Sequence, residues 1–364
     1  MHNERSMKIV IMAGGTGGHV FPALAVADVL RARGHEVAWI GTRQGLEARV
    51  VPAAGIPMEW IDVGGLRGKG WRTLLMSPWR LVRAVQQARR IFRRLRPAVA
   101  LGMGGFASGP GGLAARLSGC PLVLHEQNSV PGVTNRVLSH MARRVLEGFP
   151  GSFSAARGAE FIGNPVRGAI AALPPPELRF AGRSGALCVL VIGGSQGARV
   201  LNQTVPDAIA LWPALPRPEV WHQTGARDAE SVAAAYRAQG IKARVAPFIE
   251  DMAAAYGWAD VAVCRAGALT IAELTAAGLG AVLVPFAAAV DDHQTRNAQF
   301  LVRAAAAELL LQAALSAESL QAVLQRMAKD RQMLLAMAQR ARALAKPQAA
   351  LRVAEACLQA GGAA

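Results

Sequence analysis

Two stretches of this chain share one plan: an apolar run, a glycine-rich turn, then a helical pattern. They are KIVIMAGGTGGHVFPALAVADVL, from Lys8, and CVLVIGGSQGARVLNQTVPDAI, from Cys188. A run with almost no polar residue suits a strand buried on both faces. Glycine at its end lets the backbone approach a ligand and lets the next helix aim its amides there. Similar runs recur at residues 8–13, 36–41, 58–62, 98–101, 121–125 and 144–147, and again at 187–192, 219–223, 243–247, 260–264, 281–285 and 308–311. Helical patterns at 22–33, 79–96, 133–143, 200–211, 269–277 and 293–302 lie between them. This alternation predicts an α/β protein: two Rossmann-like doubly wound domains, each a parallel sheet covered on both faces, facing each other across a cleft. A length of 364 residues fits two such domains.

The break between the halves is marked by Gly163-Asn164-Pro165 and by Leu173-Pro174-Pro175-Pro176. The expected domains are therefore 1–164 and 165–345, with 165–186 as hinge and connector. A tail at 346–364, helical after Pro347, is expected to return to the first domain.

Several classes of function drop out. Four cysteines at 120, 188, 264 and 357 lack the short spacings of zinc or redox motifs and fit a reducing cytoplasm. Residues 274–290 fall short of a membrane span, and the five apolar residues after Lys8 make no signal peptide. No Gly-Lys-Ser/Thr occurs, and the second strand ends Ala38-Trp39-Ile40-Gly41-Thr42 without a ribose-binding acid, so neither an ATPase nor a redox dinucleotide is indicated. No D-x-D occurs, so no metal site and no cofactor are expected.

The net charge of +16 is uneven. Residues 1–176 hold 22 basic and 9 acidic residues, and no acid lies between Asp62 and Glu126. Within that stretch Trp71, Leu74, Leu75, Met76 and Trp79 stand among arginines that include Arg80 and Arg83. A short apolar knob ringed by cations suits an anionic membrane surface, and a solvated basic face is the alternative. A core stripe of Leu81, Val85, Ala88, Phe92 and Leu95 is expected on the helix that follows. Aromatics at 5% argue against a nucleic-acid stacking surface, so no nucleic acid is expected as a partner.

Chemistry concentrates at strand ends. Gly14-Gly15-Thr16-Gly17-Gly18-His19, Gly102-Met103-Gly104-Gly105 and Gly193-Gly194-Ser195-Gln196-Gly197 are candidate phosphate cradles. Gly267 precedes a helix whose opening amides, from Ala268 on, make an anion seat. Glu273 in that helix either accepts hydrogen bonds from a ribose or serves the helix dipole. Gln294 and Asn297 share a helix face and offer amides to sugar hydroxyls, with Asp291 or Asp292 as the cap. His125-Glu126-Gln127-Asn128 ends another strand; His125 is either a ligand-facing or a buried, satisfied histidine.

Taken together, MAGGTGGHVFPALAVA, GLRGKG, LGMGGFASGPGGLAA, LHEQNSVPGVTNR, GNPVR, GGSQGAR, FIEDMAAAY, CRAGALTIAEL and DDHQTRNA resemble the bacterial MurG-type glycosyltransferases over about residues 8–355. The resemblance implies a GT-B architecture and an inverting transfer of N-acetylglucosamine from UDP-N-acetylglucosamine to the MurNAc 4-hydroxyl of undecaprenyl-pyrophosphoryl-MurNAc-pentapeptide. That step belongs to peptidoglycan synthesis at the cytoplasmic face of the inner membrane, to which the protein would bind peripherally. It places Thr16, Gly17 and Gly18 beside the donor diphosphate and sugar, and Asn128 and Gln294 on the sugar. It places Arg167 and Ser195 in the nucleotide site and the Ile249 backbone on uracil. Ala268, Leu269, Thr270, Ile271, Ala272 and Glu273 would wrap diphosphate and ribose. His19 is the expected general base, or else a positioner of the acceptor. Gly280 replaces the family's usual proline, and Ala287-Ala288 a more polar pair bordering the sugar site. The rivals are another GT-B transferase with a lipid acceptor, a nucleotide-sugar 2-epimerase, and a non-catalytic peripheral binder.

Overall fold

The structure, a computed structural model, describes residues 6–63, 77–194, 197–213, 216–287 and 292–362. It divides into two compact units, Met1–Arg167 with Pro347–Ala364, and Gly168–Lys346.

The first unit holds β1 (Lys8–Met12), β2 (Glu36–Gly41), β3 (Met58–Trp60), β4 (Val99–Gly102), β5 (Leu122–Glu126), β6 (Arg144–Glu147) and β7 (Glu160–Phe161). They form one sheet in the order β3-β2-β1-β4-β5-β6-β7, and every pairing is parallel. β1 and β4 are neighbours although they are not consecutive, so the strand order reverses there. Such a reversal opens a crevice at the strands' carboxyl ends. The glycine loops at Gly14 and Gly102 leave β1 and β4 at that crevice.

Among the described residues, five α-helices belong to this sheet's connections: α1 (Gly17–Ala32), α2 (Glu47–Ala53), α3 (Ser77–Leu95), α4 (Ser108–Leu117) and α5 (Val133–Leu138). One face of the sheet packs Ile9, Ile11, Val99 and Leu101 against Val26 and Leu30 of α1. The other packs Val10, Met12, Ala100 and Leu124 against Val85, Ala88 and Phe92 of α3. The spacing predicted α1 from Pro22, but it starts five residues earlier, at Gly17. Proline there forfeits one helix bond rather than ending the helix. Leu81 lies outside the predicted α3 stripe; it is 47% exposed, while Ala84 and Ile91 are buried in its place.

In the second unit β8 (Cys188–Ile192), β9 (Glu219–Gln223), β10 (Ala243–Ala246), β11 (Val261–Cys264), β12 (Ala281–Leu283) and β13 (Ala307–Leu309) are ordered β10-β9-β8-β11-β12-β13, all parallel. The reversal falls between β8 and β11, so the loops at Gly193 and Gly267 flank it. Residues 165–186 include α6 (Gly168–Ala171) and α7 (Pro176–Phe180). Arg179 fastens α7 to the unit by donating to Ala277 O at 2.8 Å, to Gly278 O and to Tyr256 O. Burial pulls that guanidinium down to about 10. Buried Asp260 ties the base of the sheet to Arg183 at 2.6 Å and Arg331 at 2.7 Å. The remaining helices are α8 (Arg199–Ala210), α9 (Ala229–Ala238), α10 (Met252–Trp258), α11 (Ala268–Ala277), α12 (His293–Val302), α13 (Ala317–Lys329) and α14 (Arg331–Ala343).

The last helix, α15 (Ala349–Gly361), packs Val353, Ala354, Cys357 and Leu358 into the first unit's core beside α1. Arg144 donates to Gln359 at 2.8 Å, and Arg352 pairs with Glu160.

Candidate active site

In the first unit the chain leaves β1 through Gly14 and Gly15 and enters α1 at Gly17. Thr16 has extended backbone, and its carbonyl accepts from His19 N at 3.1 Å and Val20 N at 3.2 Å. The N–H groups of Gly17 and Gly18 precede those bonds, as the opening donors of a helix do. His19 is half-buried, and its Nδ1 lies 3.4 Å from Thr16 Oγ1. Phe21 backs Gly17, and the Arg167 guanidinium lies 5.4 Å from the Phe21 ring centroid. Thr16, Gly17, Gly18, His19 and Arg167 are thus brought to one place.

Underneath lies a residue that the motifs did not single out. Glu47, at the start of α2, is fully buried. Its Oε2 accepts from Gly15 N at 2.9 Å; its Oε1 accepts from Thr42 N at 3.0 Å and Thr42 Oγ1 at 2.8 Å. An acceptor-only carboxylate meets three donors, which balances its burial. The Gly102–Gly105 loop is locked to the first: Ser108 Oγ lies 2.7 Å from both Met12 O and Gly104 O. A Cβ on Gly105 would stand 2.1 Å from Gly14 O, so only glycine allows the two loops to touch.

The polar segment ending β5 is an ordered network. His125 is fully buried, and its Nε2 lies 2.9 Å from Gly163 O. A carbonyl only accepts, so that nitrogen carries the proton and Nδ1 accepts from Gln127 Nε2 at 3.1 Å. Burial draws its pKa down to about 4, so the ring is neutral. Of its two readings, the buried and satisfied histidine holds. Glu126 accepts from Asn128 N at 2.9 Å, Gly132 N at 3.2 Å and Asn135 Nδ2 at 2.8 Å, which shapes the loop carrying half-buried Asn128.

In the second unit, Ser195 and Gln196 lie outside the described residues. Around them the loop rests on a buried chain. Asn202 donates to Thr224 O at 3.0 Å and to Asp228 Oδ2 at 2.7 Å. Its Oδ1 faces His222 Nε2 at 3.1 Å, and His222 Nδ1 meets Tyr236 OH at 3.0 Å. Burial lowers His222 to about 3 and raises the Tyr236 hydroxyl.

At α11, Ile271 N already donates to Gly267 O at 2.9 Å, and the Ala268 and Ile271 side chains are buried. What the segment offers an anion is therefore the amides of Ala268, Leu269 and Thr270, with half-buried Ala272 behind them. Glu273 is buried, and Tyr256 OH donates to its Oε2 at 3.1 Å. Tyr256 belongs to α10, whose N-terminal approach carries Ile249; Asp251 caps that helix through Ala254 N at 2.9 Å. Gln294 Oε1 accepts from Phe286 N at 2.9 Å. Asn297, expected to share a ligand-facing surface with Gln294, is instead fully buried and donates to Ala266 O at 3.2 Å. Asp292 sits at the N-cap of α12 with φ 50°, and accepts from Thr295 Oγ1 at 2.6 Å.

Leu74 and Leu75 lie outside the described residues. Trp79 is 74% exposed at the start of α3, beside exposed Arg80, Leu81, Val82 and Arg83. Arg83 approaches Asp62 at 3.5 Å. Among the described residues no helix is long and apolar enough to cross a membrane.

Residues 9–147 match the glycosyltransferase family 28 N-terminal domain, and residues 188–353 match its C-terminal domain. A UDP-N-acetylglucosamine–N-acetylmuramyl-(pentapeptide) pyrophosphoryl-undecaprenol N-acetylglucosamine transferase of Nitrosococcus oceani is 57% identical, over 97% of this chain and 99% of its own. The protein of that name from Xanthomonas euvesicatoria is 58% identical over 97% of this chain and 81% of its own. The crystal structure of Acinetobacter baumannii MurG superposes with a TM-score of 0.82 at 39% identity, over 97% of this chain and 99% of that one. The UDP-GlcNAc 2-epimerase of Neisseria meningitidis shares the fold alone, with TM-score 0.67 at 10% identity, over 97% of this chain and 100% of that one. On both of its domain matches and on its full-length relatives, the chain belongs to glycosyltransferase family 28, among the MurG-type transferases.

Proposed function

We propose that this chain transfers N-acetylglucosamine from UDP-N-acetylglucosamine to the 4-hydroxyl of a lipid-linked N-acetylmuramyl-pentapeptide, with inversion at the anomeric carbon. The observation that carries the reading is a full-length identity of 57% to a transferase named for that reaction. The loops at both strand-order reversals fit it in chemistry. In the second unit the amides of Ala268, Leu269 and Thr270, with Ser195 of the glycine loop, take the donor diphosphate. The Ile249 backbone takes the base, Glu273 the ribose, and Gln294 the sugar. In the first unit Thr16, Gly17, Gly18, Asn128 and Arg167 are the residues that the family resemblance assigns to the donor.

The acceptor oxygen bonds to the anomeric carbon, and UDP departs with the electron pair of the broken bond. The hydroxyl proton passes to His19. When His19 Nδ1–H points at Thr16 Oγ1, Nε2 keeps its lone pair and serves as the base, worth typically about 10²–10⁴-fold. Negative charge growing on the diphosphate meets fixed amides. A helix N-terminus supplies roughly 0.3–1 kcal/mol, up to about 2 when partly buried. Enzymes lower barriers by about 8–23 kcal/mol, so holding both substrates in line must supply roughly 7–11 kcal/mol of it.

The exposed Trp79, Leu81 and Val82 among Arg80 and Arg83 suit docking on an anionic lipid surface, where a lipid-linked acceptor resides. An epimerase needs no second substrate and no such surface. The test is incubation of the protein with labelled UDP-N-acetylglucosamine and the lipid-linked muramyl acceptor. Label in the organic phase supports the reading. Label remaining on UDP, or recovered as an epimerised sugar, refutes it.

A further inference from the structure

Gln127 carries a buried polar atom whose partner is missing. The residue is 1% exposed, and its Oε1 has no hydrogen-bond partner among the described residues. Its orientation is not free. Gly163 O fixes the proton of His125 on Nε2, so His125 Nδ1 requires a donor, and Gln127 Nε2 supplies it at 3.1 Å. The same Nε2 lies 3.3 Å from His125 O, a second acceptor. Reversing the amide would set oxygen against both. Oε1 is therefore held facing the other way, toward Gly104. There a Cβ would stand 3.5 Å from Gln127 Oε1 and 3.0 Å from His19 Nε2. His19 Cδ2 is nearer still, at 2.7 Å, so the His19 ring edge and Gln127 Oε1 both border Gly104, whose φ is 92°. Leaving such an acceptor buried and unmet is costly, so a ligand donor that meets it gains in affinity.

Two acceptor atoms thus lie on either side of Gly104, while one hydroxyl has one proton. If the attacking hydroxyl gives its proton to His19 Nε2, Gln127 Oε1 needs a second donor close by on the same molecule. We infer that Gln127 is a specificity-determining residue that accepts a hydrogen bond from the hydroxyl next to the attacking one on the acceptor sugar. On a muramyl residue attacked at position 4, with position 3 blocked by the lactyl ether, that is the primary 6-hydroxyl. The inference rests on the transferase reading above and adds a contact to it. An anion is disfavoured at the same spot, because a carbonyl oxygen repels it.

The experiment compares the lipid-linked muramyl acceptor with its 6-deoxy analogue, using the full chain and Q127M, folding being checked by circular dichroism. The unaltered protein should prefer the 6-hydroxyl acceptor by about tenfold in kcat/KM. Q127M should lose that preference, with the donor KM unchanged. Q127N, which withdraws the oxygen but keeps an amide, should lose it too and replaces Q127M if the latter does not fold. A folded variant that keeps the full preference overturns the inference while leaving the transferase reading intact. An unaltered protein that glycosylates neither acceptor overturns both.

Discussion

Replacing Glu47 with Gln keeps the shape of the side chain and removes one acceptor. The retained oxygen still serves Thr42 N and Thr42 Oγ1, while the new NH₂ group faces Gly15 N, now 2.9 Å from Oε2. One hydrogen bond to a charged group is lost, worth about 1.5–3 kcal/mol, and two donors confront each other in a buried site. The cost should be about 2–4 kcal/mol to the first unit. Because the lost bond anchors Gly15, amide exchange should rise across residues 14–19, and turnover should fall more than donor affinity. Urea unfolding followed by circular dichroism reads the first effect, and mass-detected hydrogen exchange of the 14–19 peptide the second. A variant within 0.5 kcal/mol of the parent, a bound well inside the scatter of exposed-site mutations, would show that the carboxylate does not hold the loop.

Other outcomes follow from the same geometry. His19→Ala should lower kcat by about 10²-fold or more, and near-normal turnover would remove both roles offered for it. Glu273→Ala should raise the donor KM far more than Glu36→Ala, a change at an exposed acid, when initial rates are compared. Changing Trp79 and Leu81 to Asp should release the protein from anionic vesicles in a flotation assay; unchanged binding would contradict the docking surface. His125 and His222 are held below their unfolded pKa, so the unfolded chain binds protons first as pH falls. Stability should be flat above about pH 6.5 and fall by about 1.4 kcal/mol per unit per histidine below it, and His125→Gln should halve that slope in chemical denaturation between pH 6.5 and 5.

The sheets were legible because their strands are apolar on both faces, so short runs such as 99–102 and 261–264 stand out from amphipathic helices. The glycine loops were legible because glycine marks where backbone meets backbone or ligand. What supports them was not. Glu47 sits 32 residues from Gly15 at the start of α2, and nothing local in the sequence distinguishes it from a solvated acid. Asn297 and Gln294 share a helix face, yet one turns to Ala266 O and the other to Phe286 N, which depends on two loops packed from elsewhere. Leu81 fitted the α3 period by spacing, yet it is 47% exposed, and burial begins only one turn on, at Ala84 and Val85. His125 shows the converse: its polar neighbours suggested a ligand, and they are its partners.

The account stands on protein amides, rather than a divalent ion, taking the charge of the departing UDP. Rates of label transfer from UDP-N-acetylglucosamine to the lipid-linked acceptor should be equal in excess EDTA and in magnesium. Transfer that stops in EDTA and returns with magnesium would contradict it.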